Sequence, residues 1–177
     1  MKNKLIAVIA IPLWGCLSTI QGCISYSFTG AATNAKTIQV EDFFNNTDLG
    51  PANLGQTFTN KLKEYFQQNS SLRVVPENGE LQIEGTIVQY GITPIAPVSG
   101  AASNQRGDPA ALTRLTIAVR VNYVDTIKPE NNFKDRNFSF YADFPSAQDF
   151  NSVQESLERK ILDQIYIDIF NATLANW

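Results

Sequence analysis

Leu115, Ile117, Val119, Val121 and Tyr123 alternate with Thr116, Ala118, Arg120 and Asn122, the period of two that marks a strand with one apolar and one polar face. Such alternation belongs to a sheet covered on one side only. Two further runs fit beside it. Leu81, Ile83 and Ile87 line one side of a strand running to about residue 90. Phe138, Phe140 and Ala142 share a face of a strand over residues 133–144, entered through the turn Lys128-Pro129-Glu130-Asn131-Asn132. Upstream, Ile38, Val40 and the Phe43-Phe44 pair predict a first strand over residues 37–43. Residues 72–75 predict a short strand closed by Pro76-Glu77-Asn78-Gly79, whose Asn-Gly pair is a hairpin signal. Elsewhere the period changes to 3.6. Leu54, Phe58, Leu62, Tyr65 and Phe66 form a helical stripe ending near Asn69, with Asp48 as its cap and Pro51 in its first turn. Val153, Leu157, Ile161, Ile165 and Ile169 form a second stripe, capped within Ser146-Ala147-Gln148-Asp149 and reaching about residue 175.

The order strand, helix, run of strands, helix predicts an α+β domain: a mixed, mostly antiparallel sheet of four to five strands with two helices packed on one face. The first strand and the short second one lie parallel across the helical crossover. Between the predicted strands, residues 91–111 turn to Pro, Gly, Ala and Ser, punctuated by Pro94, Pro97, Gly100, Gly107 and Pro109. Loops of that length are usually functional or disordered.

The amino terminus follows a different logic. Lys2 and Lys4 precede an apolar run from Leu5 to Leu17, too short for a membrane span and suited to an export signal. Ile20-Gln21-Gly22-Cys23 places an aliphatic residue three before a cysteine and a small residue just before it, which resembles a lipobox. Leu13-Trp14-Gly15-Cys16 has the same form with a shorter apolar region. The organisation expected is a lipoprotein signal peptide over residues 1–22, an acylated Cys23 opening a tether over residues 23–35, and one domain over residues 36–177. Residues 24–35 contain no acidic residue, unlike a charge-rich surface-export tether, so the domain is expected to face the periplasm.

Charge and composition narrow the chemistry. Removal of residues 1–22 takes Lys2 and Lys4 with it, leaving 12 basic against 17 acidic residues and moving the net charge from -3 to -5. A nucleic-acid partner is disfavoured. His is absent, Cys16 lies in the signal peptide and Cys23 is the acylated end, which removes the common zinc ligands, disulfides and triad bases. Glu41-Asp42 and the Asp163/Asp168 pair are the closest acidic groupings, each with a plainer reading as a strand end or a solvated helix face. No phosphate-binding or nucleophile-elbow motif occurs, so neither an enzyme nor a bound cofactor or metal is expected. The candidate contact residues are basic. Arg114 and Arg120 project from the polar side of the long strand, about 20 Å apart over six residues, with Lys134 or Arg136 alongside, and Arg106 lies in the 91–111 loop.

Several segments together resemble a known family. Residues 23–30 (Cys-Ile-Ser-Tyr-Ser-Phe-Thr-Gly), Lys36-Thr37-Ile38-Gln39-Val40 with Phe44-Asn45-Asn46, and Leu81-Gln82-Ile83-Glu84-Gly85 are the first. Arg114 to Val121, Phe138 to Phe144, Asp168-Ile169-Phe170-Asn171 and Asn176-Trp177 continue them. In order and spacing they are similar to LptE-type lipopolysaccharide-assembly lipoproteins. The resemblance implies two helices against a sheet, anchorage in the outer membrane through the N-terminal lipid, a place inside the LptD β-barrel as a plug, and a role in moving lipopolysaccharide to the outer leaflet. It assigns no lipopolysaccharide contact, so Arg106, Arg114 and Arg120 stand on the reading of the residues alone. The rival class is a periplasm-facing binding module or an adaptor for another envelope complex.

Overall fold

The computed structural model describes residues 34–95 and 111–174. Cys23, most of the tether, and Arg106 with the rest of residues 96–110 lie outside them. The elements are β1 (Thr37–Val40), β2 (Phe44–Asn45), α1 (Leu54–Asn69), β3 (Arg73–Val75), β4 (Leu81–Ile95), β5 (Leu112–Asp125), a 3-10 turn at Pro129–Asn131, β6 (Phe133–Pro145) and α2 (Phe150–Leu174). They form a mixed sheet in the order β3-β1-β4-β5-β6, with β2 also pairing β4. The α+β reading holds. β1 and β3 are parallel across the α1 crossover, and β4, β5 and β6 form an antiparallel meander.

The sheet reaches six strands because the predicted first strand ends at Val40 and a separate β2 begins just past its expected end. Glu41 N–H still reaches the Ile83 carbonyl at 2.8 Å, and Asn46 N–H reaches that of Ile87 at 3.0 Å. Between them Phe43 leaves the ladder. Its ring turns inward to lie 4.8 Å from that of Phe58, and its N–H donates to the buried Thr59 hydroxyl at 2.9 Å. Two glycines make room for this. A Cβ on Gly85 would sit 2.5 Å from the Phe43 ring, and one on Gly55 would sit 2.3 Å from the Phe43 carbonyl oxygen.

Three local expectations are corrected. Asp48 does not cap α1, and Pro51 precedes the helix rather than entering it: the N-cap is Asn53, without a side-chain cap, and the Pro51 carbonyl accepts from Leu54 N–H at 3.0 Å. The intervening chain is consumed by a turn in which Asn45 Oδ1 accepts from the Thr47 N–H and hydroxyl. The Asn78-Gly79 pair closes no hairpin, because β1 lies between β3 and β4 and is parallel to both. Residues 76–80 cross over β1 instead. Gly79 passes so near that a Cβ would lie 2.5 Å from the Gln39 nitrogen, and the Glu80 carboxylate accepts from the N–H groups of Lys36 and Thr37. Finally, β4 runs to Ile95 rather than residue 90, pairing Thr93, Pro94 and Ile95 with Arg114, Thr113 and Leu112. Pro94 fits because beyond Ile87 no described strand flanks β4 on its other side.

Both helices pack on the face that the alternation predicts. Leu115, Ile117, Val119 and Val121 are wholly buried, with Ile38, Leu81, Ile83 and Ile87 beside them. Over them lie Leu54, Phe58, Leu62 and Phe66 of α1 and Leu157, Ile161, Ile165 and Ile169 of α2. The helices meet through Phe58 against Tyr166 at 5.0 Å and Phe66 against Phe170 at 5.4 Å. Each such side chain contributes about 1.5–3 kcal/mol by leaving water. Ile165→Asp places an unpaired charge in this layer, so it is expected to unfold the protein or cost about 4 kcal/mol or more. The exposed Asp163, two residues away, should tolerate alanine within about 0.5 kcal/mol. Urea titration of both variants checks the pair of outcomes, and equal midpoints would refute the assigned face.

Candidate functional site

The face of β4, β5 and β6 turned away from the helices carries the polar residues. A bulge between Ile87 and Gln89 shifts the phase of β4, which sends Tyr90 inward and leaves Gln89, Gly91 and Thr93 outward. Across the three strands the register aligns Thr93, Arg114 and Asp143, then Gly91, Thr116 and Tyr141, then Gln89, Ala118 and Ser139, then Thr86, Arg120 and Asn137. The two arginines therefore share one face, separated by the Thr116 and Ala118 rows.

Their chemical states differ. Arg114 grips Asp143 with two parallel bonds, Nε to Oδ1 at 2.7 Å and Nη2 to Oδ2 at 2.9 Å, and its guanidinium lies 3.6 Å from the centre of the Tyr141 ring. A planar fork matches a carboxylate and stacks on an aromatic face. The hydrogen bonds to Arg114 hold the Asp143 carboxyl below the usual carboxylate range. The Arg120 guanidinium, flanked by Thr86 and Asn137, has no hydrogen-bond or ion-pair partner among the described residues. Lys134 and Arg136 do not join the row. Asp135 has φ +53, its N–H donates to Asn122 Oδ1 at 2.7 Å, and the register shifts between Val121 and Tyr123. That reversal turns the Arg136 guanidinium over the rings of Phe133 and Phe138, 5.3 Å from each.

The chain matches the LptE family of lipopolysaccharide-assembly proteins over residues 35–173, which span β1 to α2. It belongs to the LptE family. The fold of this LptE-family chain is also that of two solved structures. One is a hypothetical protein from Chlamydia trachomatis, 11% identical with a TM-score of 0.52, covering 80% of this chain and 99% of that one. The other is a protein from Xanthomonas campestris, 9% identical with a TM-score of 0.53, covering 82% of this chain and 87% of that one. At such identities the likeness is one of fold alone. No curated protein matches the sequence significantly.

Three of the four residues in the acidic groupings of the LptE-family chain make local polar contacts. Lys63 lies 3.6 Å from Asp42, Glu41 accepts from the Gln39 amide, and Gln164 bonds Asp168 one turn along α2 at 2.9 Å. Among the described residues no three His, Cys, Asp or Glu side chains converge on a possible metal position. A polar strut missed from the sequence ties β4 to α2: the Tyr90 hydroxyl donates to Glu158 Oε1 at 2.7 Å, and Gln154 donates to both. Burial, then the Glu158 carboxylate, pushes the Tyr90 pKa up, so the phenol stays a donor. The spacing of Gln154 and Glu158, four apart on α2, was its one visible signal.

The Arg114–Asp143 pair has a pH signature. Because folding depresses the Asp143 pKa, its contribution to stability is present above the ordinary carboxylate pKa of about 3.9 and is lost as pH falls through the depressed value. Thermal melting of wild type and Asp143→Asn should differ at pH 6, with wild type higher, and converge in acid below the carboxylate range. A gap that persists unchanged there would show that Asp143 acts other than through its charge.

Proposed function

We propose that this LptE-family chain is exported, cleaved before Cys23, acylated on that cysteine and held in the outer membrane, where it plugs an LptD-type β-barrel, assists its assembly and helps place lipopolysaccharide in the outer leaflet. The observation that carries this reading is the family match across every described element. The lipobox form of residues 20–23 supports the anchor. Several acyl chains, at about 0.8 kcal/mol per buried CH₂, make such attachment lasting.

A domain that sits in a barrel lumen meets polar walls and water, and the open sheet face suits both. The function asked of it is binding rather than catalysis. Arg120 is the side chain best able to take a lipopolysaccharide phosphate, since its guanidinium is uncommitted, while Arg114 must first release or share Asp143. Arg106, between β4 and β5 in the sequence, remains a further candidate.

For the anchor, Cys23→Ala is expected to abolish labelling by a clickable fatty acid while Cys16→Ala retains it. Labelling that survives Cys23→Ala refutes the site. For the partner, tagged protein extracted in detergent should bring down a large outer-membrane barrel near one to one, and depletion should lower surface lipopolysaccharide. Arg120→Glu should weaken lipopolysaccharide binding more than Arg114→Glu does, with barrel recovery little changed. A pull-down without a barrel, together with normal surface lipopolysaccharide after depletion, would favour the periplasm-facing binding module.

A further inference from the structure

The outer edge of the meander is open. β6 pairs with β5 from Phe133 to Pro145, and among the described residues no strand pairs with its other side. In an antiparallel strand alternate residues turn their N–H and C=O groups to opposite sides, so a row of backbone donors and acceptors points outward from β6. Long free edges invite pairing with another chain, and proteins blunt them with charges, bulges, prolines or brevity. The opposite edge is β3, only three residues long, and then β4 beyond Ile87, where Gly91 and Pro94 interrupt the free row. The start of β6 is guarded by Lys134, by Asp135 with its positive φ, and by Arg136.

From Asn137 to Phe144 that protection stops. The segment Asn-Phe-Ser-Phe-Tyr-Ala-Asp-Phe contains no Lys, Arg, Pro or Gly, and its one charge, Asp143, is neutralised by Arg114. α2 covers the inner face, burying Phe138, Ala142 and Phe144. Phe140 is still half-buried, and Tyr141 is 47% exposed on the outer face. A strand laid along this edge would complete the backbone ladder and cover both rings. At its far end it would meet Lys134 and Arg136, neither of which has an ion-pair partner among the described residues.

We propose that β6 receives an extended segment of a partner polypeptide as an added antiparallel strand along residues 137–144, apolar beside Phe138 to Phe144 and acidic at its C-terminal end beside Lys134 and Arg136. Pairing of this kind is the strand-addition mode of peptide recognition, with main-chain bonds for affinity and flanking side chains for choice of partner. The inference does not depend on the barrel reading. A closed barrel has no strand edge to offer, so the added segment is a loop or a terminal arm.

Amide hydrogen exchange on the full chain in detergent micelles tests it. In the free protein, amides from 137 to 144 should alternate between slow, where they face β5, and fast, where they face outward. An acetylated nine-residue peptide of alternating threonine and valine ending in two glutamates should protect the fast set, and replacing the glutamates by lysines should weaken binding about fivefold or more. Of Ser139→Pro and Phe140→Pro, the one whose N–H faces outward should abolish peptide binding at an unchanged Tm, while its neighbour lowers the Tm. Uniform protection in the free monomer, which would mean that the chain's own residues fill the edge, overturns the proposal. So does protection that tracks dimer formation, or a peptide that leaves the fast amides fast.

Discussion

The fold depends on the one-sided burial of β5. At every second position from Leu115 to Tyr123 the side chain is at most 1% exposed, so the apolar floor on which α1 and α2 rest is laid by a single strand and extended sideways by β4 and β6. Burial on that scale supplies most of what opposes the loss of chain entropy. It also confines the polar groups of the sheet to the other face. The distribution of chemistry is thus a consequence of packing: once one face is committed to the helices, the charges of the meander appear on the other face or at its edge, except Asp125, buried at the end of β5 where its carboxylate accepts from Ile127 N–H, Lys128 N–H and the Asn131 amide.

The connections that join the helical layer to the sheet use polar groups with little slack. Phe43 can enter the core because Thr59 accepts its N–H, and the Thr59 hydroxyl in turn donates to the Gly55 carbonyl at 2.9 Å. Tyr123 reaches from β5 to the Thr173 carbonyl at the end of α2 at 3.2 Å, while Tyr90 reaches Glu158 near its start. The Phe43 and Tyr123 donors are buried and each has a partner, where an unpaired one would cost about 1–3 kcal/mol. The two tyrosines fix α2 at both ends over the meander, which sets how much of β6 lies covered and how much lies open.

Fold and function separate clearly in this protein. The same architecture at 9–11% identity in the Chlamydia and Xanthomonas structures says how such a chain packs and nothing of what it does. Membership of the LptE family rests instead on residues 35–173. On the open face the chemistry that such a protein could use is uneven, because Arg114 is held by Asp143 and Tyr141 while Arg120 is not.

Periodicity alone determined the classes of element, the buried stripe of each helix and the inward set of β5, because a period of 2 or 3.6 is a local property of which positions are apolar. The family was legible as well, in the order of segments from Lys36 to Phe170. What the local pattern could not determine were the places where distant residues compete for the same backbone. Phe43 breaks the first strand because Phe58, Thr59 and Gly85 offer it a better site than the ladder does. The Asn78-Gly79 turn became a crossing because β1 already occupies the slot between β3 and β4. Arg114 and Arg120 looked equivalent because their local spacing is identical. Only the register against β6, set by the bulge at Asp135 and the packing of α2, put a carboxylate and a tyrosine ring beside one and left the other free.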